Sequence, residues 1–364
     1  MDSVTLGSAP AAHRAPARQG PRPGTRGGGR IGLALGLLLL LALLAAASLG
    51  AVRVSWVDWG QAFAAERSGS AQVLWQLRVP RALLAAAVGA ALGLSGALSQ
   101  GLFRNPLADP GLLGVTSGAV CAVALVLTVF AAAASGLPPP WRPWVLPLAA
   151  FGGALGVVVL LHLVARWLTP GSVAGLLLTG LALNALAMAV VGLCTFIASD
   201  EQLRSLSFWT LGSLAGATWT VAGVLLAAVG LALWHGRRLA AALNALALGE
   251  ASAAHVGVDV PRLRRGLVFA VALLSALAVA WCGLIGFIGL MAPHLVRAAA
   301  GADQRRVLPL AALAGALLLV VADTLARLVA LPAEVPVGIL TALIGAPAFL
   351  LLLRGVARRQ GGQP

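Results

Sequence analysis

The sequence predicts an all-α, polytopic membrane protein, and three observations carry that expectation. Of the 364 residues, 60% are hydrophobic and only 10% charged, whereas soluble domains are about a quarter charged. The apolar residues gather in runs of bilayer length, and at roughly 20 residues per span the chain has room for about ten. The basic residues are all arginine and crowd into alternate connections, the pattern of a positive-inside bias. The net charge of +14 therefore lies beside apolar spans rather than on one soluble basic face. Membrane lipid is the expected surrounding, and nucleic acid is not an expected partner.

Residues 1–30 are rich in Pro, Gly and Arg and read as a disordered cytoplasmic tail. Ile31–Gly50 is uninterrupted apolar chain, longer than the roughly 7–15 residues of a signal-peptide core, and reads as the first span. Ala51–Arg81 is a polar outer loop with Trp56, Trp59 and Trp75, as expected of an interfacial belt. Ala82–Leu102 is the second span. Its Gly89, Gly93 and Gly96, with Ser95 and Ser99, give one helix face small residues, which lets another backbone approach closely. Phe103–Gly111 is a turn-rich connection. Leu112–Ala134, Trp144–Leu168 and Gly175–Ala198 follow as spans, separated by Ser135–Pro143 and Thr169–Ala174. The amphipathic piece Leu206–Leu214 is too short to cross and suits an interfacial or re-entrant helix. Trp219–Trp234 is the sixth span.

Leu246–Pro261 is the longest weakly apolar segment of the second half, with Arg237 and Arg238 before it and Arg262, Arg264 and Arg265 after it. Ala251–Val256 are tolerable helix formers, and Glu250 sits where a negative charge suits the helix dipole. Gly257 is placed to end that helix and Pro261 to start the next. Composition alone fits a solvated loop as well. Gly266–Ala300 reads as one span, a bend at Gly283, Gly286 and Gly289, and a shorter returning span. Val307–Leu328 and Val335–Leu353 are the last two. The membrane domain is thus 31–354, with residues 355–364 a second cytoplasmic tail. Only Arg53, Arg67, Arg78, Arg81, Arg142, Arg204 and Arg327 fall on the outer side, so both termini are expected inside.

Little in the chain suits catalysis. Cys121, Cys194 and Cys282 lie in apolar runs and read as small core residues. His162, His235 and His294 are scattered, His13 is in the tail and His255 in the Leu246–Pro261 stretch, so none forms an axial-ligand pair. No Asp/Glu or His/Cys cluster serves metal or acid–base chemistry, which disfavours an enzyme. Asp323 is an ionisable group within an apolar span and a functional candidate. Arg327 one turn on makes a structural ion pair an equal reading. A proton-driven carrier would want an acidic relay, and none is visible. The chain also lacks a Gly-x4-Gly-Lys-Ser/Thr phosphate loop, so it does not bind ATP in that way itself.

Six ordered segments resemble the permease subunits of the binding-protein-dependent ABC importers for iron–siderophore, heme and cobalamin. They are Arg78–Arg81, Gly101–Gly114, Leu248–Gly257, Ile285–His294, Ala322–Arg327 and Glu334–Pro347, and the likeness runs from about Ile31 to Arg354. The segment Asp200–Trp219 is more similar to the heme permeases than to those for cobalamin. The resemblance implies the type II importer permease fold with ten spans, working as a homodimer. It implies two cytoplasmic ABC ATPase subunits that use the ATP, a periplasmic heme- or siderophore-binding protein, and no cofactor or metal held by this chain. Arg78, Arg81 and Arg327 are then the residues that dock the binding protein. Asn105 and Leu107, with Ser172, Val173 and Ala174, form the cytoplasmic gate. The region around 240–262 couples to the ATPase through Leu248, Gly249, Glu250, Ala251, Ala253, Ala254 and Gly257. Heme or a related iron complex is the expected cargo, with an iron–siderophore the alternative and cobalamin third.

Overall fold

The protein, seen here as a computed structural model, is described over residues 27–64 and 66–360, with side chains up to Leu351. The expected tail up to residue 26 lies outside the described residues, and Gly27–Arg30 already belong to the first helix. That helix, α1 (Gly27–Ser48), is built from a Leu/Ala run of strong helix formers. The expected outer loop is more structured than its composition suggests. After short turns at Trp56–Gly60 and Gly69–Gln72, a π-helical turn over Val73–Arg78 runs straight into α2 (Val79–Phe103). Pro80 lacks an N–H to continue an α ladder, and the wider turn lets Val79 N–H reach Leu74 O instead.

The third apolar run is shorter than expected. A 3-10 turn at Pro110–Leu113 precedes α3 (Val115–Thr128), and Gly114 between them has φ +83°. That left-handed residue stops one continuous helix from forming across Leu112–Ala134. Then come α4 (Arg142–Leu168), α5 (Val173–Ile197) and α6 (Asp200–Thr210). In α6, Ser199 Oγ accepts from Gln202 N and Gln202 Oε1 accepts from Ser199 N, a reciprocal cap that sets the helix start at residue 200. The helix therefore lies earlier than Leu206–Leu214. Beyond it, α7 (Trp219–Ala247) outruns Trp234, the expected end of that span. The chain finishes with α8 (Glu250–His255), α9 (Val260–Cys282), α10 (Ile288–Ala300), α11 (Gln304–Leu328) and α12 (Val337–Gln360). The last helix passes residue 355, where a tail was expected, and residues 361–364 lie outside the description.

Among the described residues seven helices are long and apolar enough to cross a membrane, and three shorter apolar helices join them: α3, α10 and the apolar part of α12. No strand occurs among the described residues. The bend between α9 and α10 falls where the glycines cluster, with Gly283 at φ +66° and Phe287 at φ +67°.

Helix α2 is the hub. From Leu84 to Phe103 every residue is buried, and α7, α9, α10 and α11 pack around it. The small-residue face expected from the sequence makes these contacts. A Cβ on Gly89 would overlap the Gly315 carbonyl, one on Gly93 the Ala311 carbonyl, and one on Gly96 the Gly289 carbonyl. Without a hydrophobic force between helices in lipid, such backbone proximity supplies the dispersion contacts that hold them together. A second layer repeats the device, with Gly118 of α3 against Gly153 of α4.

Candidate functional site

Topology separates the molecule into two charged ends with an apolar middle. At one end, Arg78, Arg81 and Arg327 converge on a cavity of about 420 Å³ that Glu334 also lines. All three guanidiniums already hold acceptors of this chain. Arg78 is 6% exposed and donates to Ala47 O, Ser48 O and Val52 O, closing the end of α1. The Ala47 and Ser48 carbonyls are orphan acceptors of the α1 C-terminus, where a cation suits the dipole, and Val52 O belongs to the loop beyond it. Arg81 donates from Nε and Nη2 to Asp323 and from Nη1 to Glu334. Arg327 is 7% exposed, donates to Ala46 O, and lies with its Nε 3.3 Å from Asp323 Oδ2. Asp323 therefore has the partner one turn away that the sequence suggested. It also has Arg81, which nothing in the local sequence announces.

Nearby, the segment between α1 and α2 is pinned by Asp58. Its carboxylate accepts from Ser55 N (2.7 Å) and from the hydroxyls of Ser55, Ser68 and Ser70. The Ser55 N–H, then the Ser68 hydroxyl, hold its pKa down to about 2.

The middle holds a cavity of about 570 Å³ between α2, α9, the α9–α10 bend and α12. Its walls are largely apolar, with Leu92, Val279, Ile285 and Leu343 among them, and Asp109, Thr116, Thr210 and Ser275 add polar points. The Ser275 hydroxyl is buried without a hydrogen-bond partner in the described structure. Phe287 lines the same space from a left-handed backbone, an arrangement costly for an aromatic residue and concentrated at functional sites. The sequence reading named neither Phe287 nor Ser275. For Phe287 the available signals were the glycines around it and its place within the Ile285–His294 segment. Among the described residues no three His, Cys, Asp or Glu side chains group as a metal site.

The opposite charged end carries the two expected gate elements and the short helix. Arg104 ends α2 in the left-handed region, and Asn105 Oδ1 accepts from Leu107 N, which fixes an exposed Asx turn. Ser172 caps α5 by accepting from Gly175 N, and Val173 and Ala174 open that helix. Among the described residues none of the main cavities is lined by both elements. Indirect contact comes through Asn184 of α5, whose Nδ2 donates to Gly111 O. Helix α8 forms where the sequence placed it, entered through Gly249 at φ +119° and left through Gly257 at φ +85°.

Two of the coupling residues are used differently from the expectation. Ala253 is fully buried against its own chain, because i to i+4 spacing turns it inward while Ala251, Ser252, Ala254 and His255 face out. Glu250 is already paired in this chain, Oε1 receiving Arg264 Nη2 at 2.7 Å. The exposed surface is instead flanked by Leu248 at 79% and Val256 at 69% exposure.

Apolar helices of bilayer length around a central cavity, with capped turns at one charged end, define a multi-pass membrane transport protein. The chain belongs to the FecCD transport family, whose profile matches residues 38–355. It is 46% identical over 294 residues to the hemin transport system permease protein HmuU of Yersinia pestis, covering 79% of this chain and 85% of that one. To the vitamin B12 import system permease protein BtuC of Vibrio cholerae it is 42% identical over 295 residues, covering 81% and 86%. Among solved structures it matches an inward-facing conformation of a metal-chelate type ABC transporter with a TM-score of 0.78 and 34% identity. That match covers 90% of this chain and 99% of the other.

Proposed function

We propose that this chain is the permease subunit of an ABC importer that moves heme, or a related iron complex, inward across the plasma membrane with both termini in the cytoplasm. The observation that carries the cargo assignment is the 46% identity to a hemin permease, spread over most of both chains. The cavity fits it: an apolar wall suits a flat apolar macrocycle, and the few polar points offer contacts to its polar edge.

Transport by this reading takes three devices. A second copy meets the exposed apolar face of α12, where Leu343 and Ile344 are 66% and 51% exposed, and the pair encloses the pathway. A periplasmic binding protein docks over the end bearing Arg78, Arg81 and Arg327. Since those arginines are internally paired, its acidic groups bind by entering the arginine-lined cavity and sharing donors already held in place. Two cytoplasmic ATPases press on α8 and its neighbours Leu248, Gly249, Ala251 and Ala254, and the turns at Asn105–Leu107 and Ser172–Ala174 open and close the exit. The chain binds no cofactor; ATP belongs to the ATPases.

Proteoliposomes holding the permease, its ATPase and its binding protein test this reading. ATP-dependent accumulation of heme is expected, with ferric siderophore and cobalamin excluded. Accumulation of cobalamin or a siderophore in its place would overturn the cargo. Uptake driven by a proton gradient without ATP would overturn the class.

A further inference from the structure

Arg264 joins two elements that the chain keeps far apart. Its Nη2 donates to Glu250 Oε1 in the first turn of α8, and its Nη1 donates to Gly171 O in the turn between α4 and α5, each at 2.7 Å. The Arg264 side chain is 16% exposed and that of Glu250 41%, so the arginine is sheltered while its acceptors stand nearer to water. Gly171 has φ +79° and stands directly before Ser172, the cap of α5. The arginine itself is rooted in the first turns of α9, whose N-cap is Asp259. A small void of about 70 Å³ lies beside the bridge, lined by Thr169, Gly171, Ser172 and Arg264, which leaves the turn room to shift. A rigid planar guanidinium that spends one nitrogen on each of two elements holds their separation. A lysine ammonium on a flexible stem would not.

We propose that Arg264 is a positioning residue, a two-point strap through which displacement of α8 is passed to the Gly171–Ser172 turn and so to the mouth of α5. This rests on the reading of α8 as the surface on which an ATPase acts. The strap gives that surface a defined mechanical neighbour, where sequence reasoning saw only a flanking positive charge.

Three variants separate the strap from a plain surface ion pair. Arg264→Ala removes both bonds. Arg264→Lys keeps charge opposite Glu250 but loses the fork. The exchange Glu250→Arg with Arg264→Glu restores opposite charges between α8 and α9, yet a carboxylate at position 264 has no proton to give Gly171 O. In proteoliposomes with the ATPase and the binding protein, all three are expected to hydrolyse ATP while the ATP consumed per molecule transported rises at least about tenfold, the equilibrium weight of the one charge-assisted hydrogen bond to Gly171 O that all three weaken or lose. Wild-type coupling in the exchange variant would overturn the proposal, because the Gly171 contact would then be dispensable. A second readout needs no transport. Spin labels at the exposed Pro170→Cys and Ser252→Cys should keep one narrow distance in the strapped protein with and without nucleotide-bound ATPase, and the distribution should broaden in Arg264→Ala. An unchanged distribution in Arg264→Ala refutes the strap even if uptake assays fail. Absence of ATP-dependent uptake in the wild type, with broadening in the variant, refutes the importer reading and leaves the strap standing.

Discussion

Replacing Asp323 by Asn keeps the shape of the side chain and deletes its charge, so it isolates the electrostatics of the end that holds Arg78, Arg81 and Arg327. The carboxylate is 1% exposed and receives Arg81 at 2.9 to 3.1 Å and Arg327 at 3.3 Å. Removing one member of a buried ion pair costs about 3–5 kcal/mol, because the partner's charge stays behind uncompensated. Here two cations stay behind, but not equally. Arg81 keeps Glu334 at 2.7 Å, whereas Arg327 keeps only a carbonyl, Ala46 O at 2.9 Å. Partial compensation puts the expected loss near the lower bound, about 3 kcal/mol. Glu334 is 46% exposed, so Glu334→Gln should cost only about 0.2–1 kcal/mol, as exposed pairs do. Equilibrium unfolding of the detergent-solubilised permease by titrated SDS measures both. If the two variants lose the same stability, or if Asp323→Asn stays within about 1 kcal/mol of wild type, the buried-network account is wrong. The same logic warns that Arg327→Glu acts on folding before it acts on docking, so a binding assay needs the stability measurement beside it.

Other outcomes follow from the same contacts. Gly93→Leu should sharply lower folded yield, since even a Cβ there overlaps the Ala311 carbonyl, while Gly152→Ala, with nothing nearby, should leave yield unchanged; size-exclusion chromatography reads both. The Asp58 carboxyl has its pKa depressed to about 2, so its contribution is present above the unfolded value near 3.9 and is lost as pH falls through about 2. The gap in unfolding midpoint between wild type and Asp58→Asn should therefore narrow from pH 5 to pH 2, and a constant gap would contradict it. Ala253→Trp should impair folding rather than coupling because the residue is buried, and an assembled Ala253→Trp protein that uncouples the ATPase would return the site to the interface. Gly257→Val should uncouple with assembly intact, since its φ of +85° excludes a β-branched residue although no atom lies near its Cβ; wild-type coupling would argue against α8 as the joint.

What the sequence showed was whatever is periodic or local. The apolar runs, the glycine face of α2, the caps of α8 and the Asp323–Arg327 spacing all lie within a few residues of one another. Each appears in the structure with shifts at its ends. Long-range partners were invisible. Arg81 and Asp323 stand 242 residues apart in sequence, and no local pattern distinguishes Arg81 from an arginine that anchors in headgroups. The same holds for Arg264 and Gly171, 93 residues apart. The shortness of α3 was missed because its apolar composition runs straight through Gly114, where only the backbone turns. The inward turn of Ala253 was not legible either, because an alanine is silent about which way it faces in a helix of one and a half turns.

The seam around α2 also sets an order of events during synthesis. Its glycines wait for Gly315 and Ala311, which leave the ribosome about 200 residues after α2 does. At about 5–20 residues per second, that is roughly 10–40 s during which the innermost helix of the finished protein sits in lipid. The chain must therefore make α2 greasy enough to be released into the bilayer alone and small enough in profile to be recovered later by a neighbour. A chain cut short before α11 would keep α7, α9 and α10 beside this helix but leave the notch at Gly89 and Gly93 unfilled.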